Sequence, residues 1–94
     1  MAMRWSDEKD SWLLAVRAIR LQDVADAILS DDLIDIIESP GRHEQQAFVL
    51  WLRDYIWVVP FVLESDGTIF LKTAYPSRKM MERYGGPNGK AGRT

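Results

Sequence analysis

Four cations and one phenol near the C-terminal end of the sequence have the chemistry needed to hold a phosphate group. Lys72 lies within an apolar run, Tyr75 ends that run, and Arg78, Lys79 and Arg83 follow it. Arginine can engage two phosphate oxygens and keeps its charge, lysine is a mobile point charge, and a phenol can transfer a proton or stack on a base. These residue types predict a surface that binds a phosphate backbone.

Arg78 is the first candidate within this group because it directly follows the end of a predicted strand. Its alternative role is an ordinary surface ion pair with Glu82, four residues later on the same helix. Lys72 could equally be a lysine on the open face of a sheet. Arg83 follows Arg78 by five residues, about 500° around a helix, so the two cations do not share one line. Tyr84 could stack on a base, but partial burial in the core is the preferred interpretation.

The charge of the chain is divided unevenly along its length. The 94 residues carry a net charge of −2, yet residues 1–66 hold six Lys/Arg against thirteen Asp/Glu, a balance of −7. Residues 67–94 hold six Lys/Arg against Glu82 alone, a balance of +5. A basic surface on an acidic body can bind a phosphate backbone locally, and a solvated helix and tail is the other interpretation.

The amino-acid composition limits the kinds of site that the chain could form. The chain has no cysteine and one histidine, His43, so disulfides, metal sites and a metal cofactor are not expected. His43 precedes Glu44, and the two could form an acid/base pair, although exposed loop residues are the simpler interpretation. No apolar run is long enough to span a bilayer and the first residues lack a secretory signal, so we expect a cytoplasmic protein with no membrane partner.

The hydrophobic pattern predicts four antiparallel strands. Branched and aromatic residues predict a strand at 33–38, another at 47–52 and a long one at 55–64, with Arg53-Asp54 as a tight turn. Asp66-Gly67 then turns the chain into a last strand at 69–75. Pro60 interrupts the long strand, where its missing amide requires a bulge or a ladder position that needs no donor.

Helices are predicted at both ends of this sheet. Ser6 is a typical N-cap, and apolar residues recurring at three and four residues predict a helix to about Arg20, with Trp12 and Val16 on its buried face. The other tryptophans are also expected in the core. A second helix runs to about Ser30, a short basic helix covers 76–84, and Met3–Trp5 could add an edge strand.

These elements predict one α+β domain over residues 1–84, with helices on one face of a sheet of about four strands. The remaining residues, 85–94, contain four glycines and no large apolar anchor, which is typical of a flexible tail.

Several segments together resemble the BrnT-like toxins of bacterial type II toxin–antitoxin systems. They are Trp5-x-x-x-Lys9, Asp35–Glu38, Val58–Val62 and Phe70–Lys79, which occur in this order and cover roughly residues 3–84. The resemblance implies a RelE-like fold, a metal-independent endoribonuclease that slows translation, and a cognate antitoxin that neutralises the toxin and binds operator DNA. It also implies that a lysine on the first helix, here Lys9, lies near the catalytic face.

On this interpretation Arg78, Lys72, Lys79 and Tyr75 are the catalytic candidates, and Lys9, Arg83 and His43 are the candidates for binding RNA. The acidic charge and the glycine-rich tail depart from the usual pattern of such toxins. Two other functions fit the same residues: a non-catalytic module that binds an antitoxin or regulates an operon, and a toxin that targets gyrase on the same fold.

Overall fold

The computed structural model describes residues 2–39, 41 and 45–85, which form an α+β domain with a mostly antiparallel sheet. The strands are β1 (Met3–Arg4), β2 (Leu33–Glu38), β3 (Gln46–Leu52), β4 (Tyr55–Leu63), β5 (Ile69–Leu71) and β6 (Tyr75–Pro76). The helices are α1 (Asp7–Arg17), α2 (Leu21–Ile28) and α3 (Arg78–Met80), which continues as a π-helical segment, Met81–Gly85. The predicted order of two N-terminal helices, a sheet and a short C-terminal helix is confirmed.

The sheet has the strand order β1-β5-β4-β3-β2, and β6 pairs with β4 beyond the end of β5. The pairs β2–β3, β3–β4 and β4–β5 are antiparallel, whereas β1 lies parallel to β5 with Met3 opposite Ile69. The predicted N-terminal edge strand is therefore present. Its pairing places the start of α1 beside β5.

Turn chemistry sets the two hairpins on either side of β4. Arg53 and Asp54 have φ values of 54° and 60°. A two-residue hairpin turn of type I′ requires this left-handed conformation at both central positions. Gly67 has φ of 90° in the following turn, a conformation that costs glycine little. Both predicted turns are confirmed.

The last strand is interrupted, which differs from the continuous strand predicted at 69–75. β5 ends at Leu71 and β6 begins at Tyr75, leaving three unpaired residues opposite the Pro60 region of β4. The carbonyl of Pro60 accepts a hydrogen bond from the backbone N–H of Lys72. In an antiparallel ladder the N–H and C=O of one residue point to the same neighbouring strand, so the N–H that Pro60 lacks would also face the last strand. The proline removes one ladder bond at this point, and the expected bulge forms opposite it.

Two apolar cores lie on opposite faces of the sheet. Helices α1 and α2 cover one face, where the buried residues include Leu13, Ile19, Leu21, Val24, Phe48, Leu50, Trp57, Val59, Phe61 and Leu71. The opposite face carries a smaller core of Ala47, Val49, Ile56, Val58 and Met80, against which Met81 and Tyr84 pack. The C-terminal helix therefore covers the second face, and the prediction that all helices lie on one face is wrong.

Helix α1 differs from its prediction in length and in its exposed side. It ends at Arg17, because Ala18 adopts a left-handed conformation with φ of 54° and closes the helix. Leu13 and Ile19 are fully buried, but Trp12 and Val16, both predicted on the buried face, are 43% and 57% exposed. Trp12 is thus not a core residue, whereas Trp57 is.

Two predictions fall wholly or mainly outside the described residues. His43 is one, and the flexible tail is the other, apart from Gly85, which ends the π-helical segment. None of the helices in the described part of the chain is both long enough and apolar enough to cross a bilayer.

Candidate functional site

A cleft of about 520 Å³ opens where α1 begins and the last strand is interrupted. It collects polar groups from four separate parts of the chain. Its lining residues are Ser6, Lys9, Ser39, Gln45, Pro60, Phe70, Lys72, Thr73 and Tyr75. Among the described residues, the lining therefore includes two lysines, three residues with aliphatic hydroxyls, one glutamine and one tyrosine.

The bulge opposite Pro60 determines how the last strand contributes to the cleft. Four residue steps separate Leu71 from Tyr75, whereas their partners on β4, Phe61 and Val58, are three steps apart. The extra residue breaks the alternation of the strand, so the adjacent residues Lys72 and Thr73 both line the cleft. Simple strand alternation would place Ala74 on the same face as Lys72, but the bulge turns Ala74 into the core beneath the helices, where it is fully buried.

Lys9 reaches the cleft from the first turn of α1. The Ser6 hydroxyl caps this helix by accepting from the backbone N–H of Lys9 at 3.0 Å. The parallel pairing of β1 with β5 holds the two residues beside the bulged strand. Lys9 and Lys72, two of the predicted site residues, thus meet in one cleft although 62 positions separate them in the sequence.

Tyr75 lines the cleft where β6 begins opposite Val58. Partial burial raises the pKa of its phenol above the ordinary value of 10.0, because the charged phenolate would lose hydration there. The phenol is therefore protonated at neutral pH. Tyr75 can donate a hydrogen bond or a proton to a bound anion.

Another part of the lining comes from the connection between β2 and β3, where the sequence suggested only His43, a residue outside those that the structure describes. The backbone N–H of Ser39 donates to the carbonyl of Gln45, and both residues line the cleft. Ser39 is also buried, with 5% of its surface exposed. Nothing in the spacing of single residues identifies Ser39, Gln45, Ser6 or Thr73, since their proximity depends on strand pairing.

The other candidates among the described residues, Arg78, Lys79 and Arg83, do not line this cleft. Arg78 and Lys79 are exposed in α3, which begins after Ser77, whose hydroxyl accepts from the N–H of Met80 at 3.1 Å. Arg83 is exposed and its guanidinium carbon lies 5.3 Å from the centre of the Tyr84 ring. The Tyr84 hydroxyl donates to Asp35 at 2.8 Å and anchors the π-helical segment to β2.

The described lining of the cleft suits an anion rather than a cation. Ammonium, hydroxyl and carboxamide groups can together neutralise and hydrogen-bond a phosphate. Within the residues that the structure describes, no cluster of histidine, cysteine and carboxylate side chains could hold a metal ion. The cleft can therefore bind a phosphate directly through its own side chains.

Comparisons with known proteins do not assign the chain to a family. No protein-family model matches its sequence, and no curated protein or solved structure shows significant similarity to it.

Proposed function

We propose that this protein is the toxin of a type II toxin–antitoxin pair and cleaves RNA without a metal ion. The observation that carries the proposal is the meeting of Lys9, Lys72 and Tyr75 in one cleft. Two cations can bind a phosphate there, and a protonated phenol lies beside them. The resemblance of residues 3–84 to BrnT-like toxins supplies the substrate class and the biological role.

The cleft chemistry corresponds to attack by a ribose 2′-hydroxyl on the neighbouring phosphorus. A bond forms from the 2′-oxygen to phosphorus while the bond to the departing 5′-oxygen breaks, and negative charge grows on the other phosphate oxygens. Lys72 and Lys9 stabilise that charge, and Tyr75 donates a proton to the 5′-oxygen. None of the described lining residues is a carboxylate or an imidazole, so the proposal assigns the 2′-hydroxyl proton to solvent water, and solvent then returns a proton to Tyr75.

The proposal changes the order of the candidate residues. Arg78, the first candidate from the sequence, lies outside the cleft lining, as do Lys79 and Arg83. We assign Lys72 the main part in stabilising the phosphate. In this proposal Arg78 and Arg83 only attract phosphates that flank the cleaved one. Lys79 has no part in the reaction.

The proposed role in the cell follows from the same family resemblance. The protein acts in the cytoplasm on RNA to inhibit translation, needs no cofactor, and is neutralised by a cognate antitoxin. Operator DNA is reached only through that antitoxin. The acidic part of the chain, net −7 over residues 1–66, offers a basic antitoxin a complementary surface.

A second candidate function is a module that binds RNA without cleaving it. The two lysines of the cleft favour it, because binding a phosphate through cations needs no base to remove a proton. Both functions require Lys72. They differ in whether new RNA ends appear.

The test compares induction of the wild-type chain with three variants in cells whose total RNA is mapped for new 5′ ends. Lys72→Gln removes the cleft charge, and Lys79→Gln makes the same change at an exposed lysine outside the cleft. Arg78→Ala tests the candidate that the sequence favours. Purified variants are checked for folding by circular dichroism.

We expect growth arrest and new RNA ends with the wild type and with Lys79→Gln, and neither with Lys72→Gln. If Arg78→Ala abolishes growth arrest and RNA cleavage and Lys72→Gln does not, Arg78 rather than Lys72 stabilises the phosphate. Arrest without new ends would favour gyrase as the target. Lysine-dependent RNA binding without arrest or cleavage would favour the non-catalytic module.

A further inference from the structure

Trp12 is an exposed aromatic residue whose surface adjoins the cleft. It lines a depression of about 180 Å³ with Ser6, Glu8 and Lys9. Ser6 and Lys9 also line the larger cleft, so the two spaces share a wall. The indole is 43% exposed, although the next residue, Leu13, is completely buried.

Two cations contact the indole ring and tie it to the cleft. The Arg17 guanidinium carbon lies 4.9 Å from the ring centre, and Nη1 of Arg17 donates to the carbonyl of Ala74 at 2.8 Å. Ala74 belongs to the bulge that carries Lys72. The Lys9 ammonium lies 4.8 Å from the same ring. Arg17 therefore links the indole ring to the bulge. Lys9 contacts the same ring and also lines the cleft.

An aromatic ring beside a phosphate site is the usual arrangement in proteins that bind single-stranded nucleic acids. Their basic grooves follow the backbone, and bases stack on exposed rings whatever the sequence. A base paired within a duplex cannot reach such a ring without leaving its stack. The combination of cleft and exposed ring therefore selects single-stranded segments.

We propose that Trp12 stacks on a nucleobase of single-stranded RNA whose neighbouring phosphate occupies the cleft. Lys9 leaves the ring face when RNA binds and moves onto that phosphate, while the Arg17 contact to Ala74 keeps the indole in position. This inference rests on the proposed function in one respect, the identity of RNA as the ligand. It adds a residue that recognises the base.

The experiment measures binding of fluorescently labelled 2′-O-methyl oligouridylate, which lacks the attacking hydroxyl and stays intact. An abasic sugar-phosphate oligomer of the same length is the second probe. The proteins are the wild type, Trp12→Ala, Trp12→Phe and Lys72→Gln. Val16→Ala is the matched control, since it removes another exposed apolar side chain from α1 that lines neither space.

We expect Trp12→Ala to weaken binding of oligouridylate about tenfold, the effect of losing one stacked base. Trp12→Phe retains most of the affinity, and Val16→Ala retains all of it. The abasic oligomer binds the wild type and Trp12→Ala equally, because it has no base to stack. Thermal unfolding followed by circular dichroism verifies that each variant is folded.

Three results would overturn the stacking proposal. If Lys72→Gln weakens oligouridylate binding and Trp12→Ala does not, stacking is refuted while the proposed function stands. If Trp12→Ala weakens binding of both probes equally, the indole acts only by positioning Lys9. If the wild type binds neither probe, the RNA-binding function fails and the stacking proposal fails with it.

Discussion

The backbone N–H of Lys72 donates to the carbonyl of Pro60 at 2.8 Å, the point at which the last strand separates from β4. Pro60 has no backbone N–H to donate a second bond to the last strand. That strand therefore bulges between Lys72 and Tyr75, where Tyr75 pairs with Val58. The bulge is what directs Lys72 and Thr73 into the same cleft. A single buried proline in the core strand therefore shapes the wall of the candidate site.

Pro60→Ala tests this relationship. The substitution adds a buried N–H that faces the bulge, where the regular ladder between β4 and the last strand is interrupted, so we expect the free energy of unfolding to fall by about 2 kcal/mol. Urea denaturation measures the change. Pro76→Ala, at an exposed proline, controls for the flexibility that alanine adds to the unfolded chain, and we expect it to cost less than about 1 kcal/mol. Equal losses would show that the new amide is satisfied.

Ala18→Gly should stabilise the protein. Ala18 ends α1 with φ of 54°, a left-handed conformation that is strained for any residue with a Cβ atom. Its side chain is exposed. We expect the substitution to raise the free energy of unfolding by up to about 1 kcal/mol. The matched control is Ala15→Gly in the exposed interior of the same helix, which should lower it by about 1 kcal/mol. Changes of the same sign would contradict the assignment of Ala18 as the helix terminus.

Asp10→Ala should destabilise the start of α2. Arg20, the N-cap of that helix, makes no capping bond through its side chain, and Asp10 of α1 instead accepts from the backbone N–H of Leu21 at 2.8 Å. Loss of this charged, partly buried acceptor should cost about 2 kcal/mol. Asp7→Ala removes an exposed carboxylate from the same turn of α1 and should cost about 0.5 kcal/mol. Thermal or urea unfolding of both variants gives the comparison, and similar costs would argue against the capping role.

The stability of the protein should fall at alkaline pH partly because of Tyr75. Burial raises the pKa of its phenol in the folded state above the ordinary value of 10.0, so the unfolded chain loses this proton first. The stabilisation is complete below pH 10 and is lost as pH rises through the higher folded pKa. Tyr75→Phe should therefore show a shallower decline of unfolding free energy above pH 10. An unchanged slope in urea titrations at several pH values would contradict this.

Lys72→Gln should change the salt dependence of RNA binding. Each phosphate contact that a cation makes on a single strand contributes about 0.7 to the slope of log affinity against log salt. We expect the variant to lose about that much of the slope with 2′-O-methyl oligouridylate. Lys79→Gln, outside the cleft, should leave the slope nearly unchanged. A larger loss in Lys79→Gln would locate the phosphate on α3 instead.

Local patterns were sufficient to predict most of the fold. The apolar runs of β2, β3 and β4, the paired turn Arg53-Asp54 and the Ser6 cap depend on residues close together in sequence. The face covered by the C-terminal helix was not predictable in this way, because Met80 packs on a core formed by residues from distant strands. Trp12 was misassigned because helical spacing alone does not show that cations will contact an exposed indole.

The site was predicted only in part, and for a similar reason. Lys72 and Tyr75 belong to the bulged strand, and Lys9 entered through the family resemblance rather than from its spacing. Ser39 and Gln45 line the cleft because the β2–β3 connection ends beside it, which requires knowledge of the sheet order. Arg78 shows the reverse case, since a cation close to Tyr75 in sequence lies outside the cleft in space.

The distribution of the cleft lining along the chain has a consequence for biosynthesis. Its walls extend in sequence from Ser6 to Tyr75, and the strand that carries Lys72 has to pair with both β1 and β4. Contacts between residues so far apart form late in folding, after the intervening chain has been ordered. A nascent chain still held on the ribosome by its last strand has no complete cleft. The cleft is therefore complete only after the chain from Ser6 to Tyr75 has been synthesised and folded.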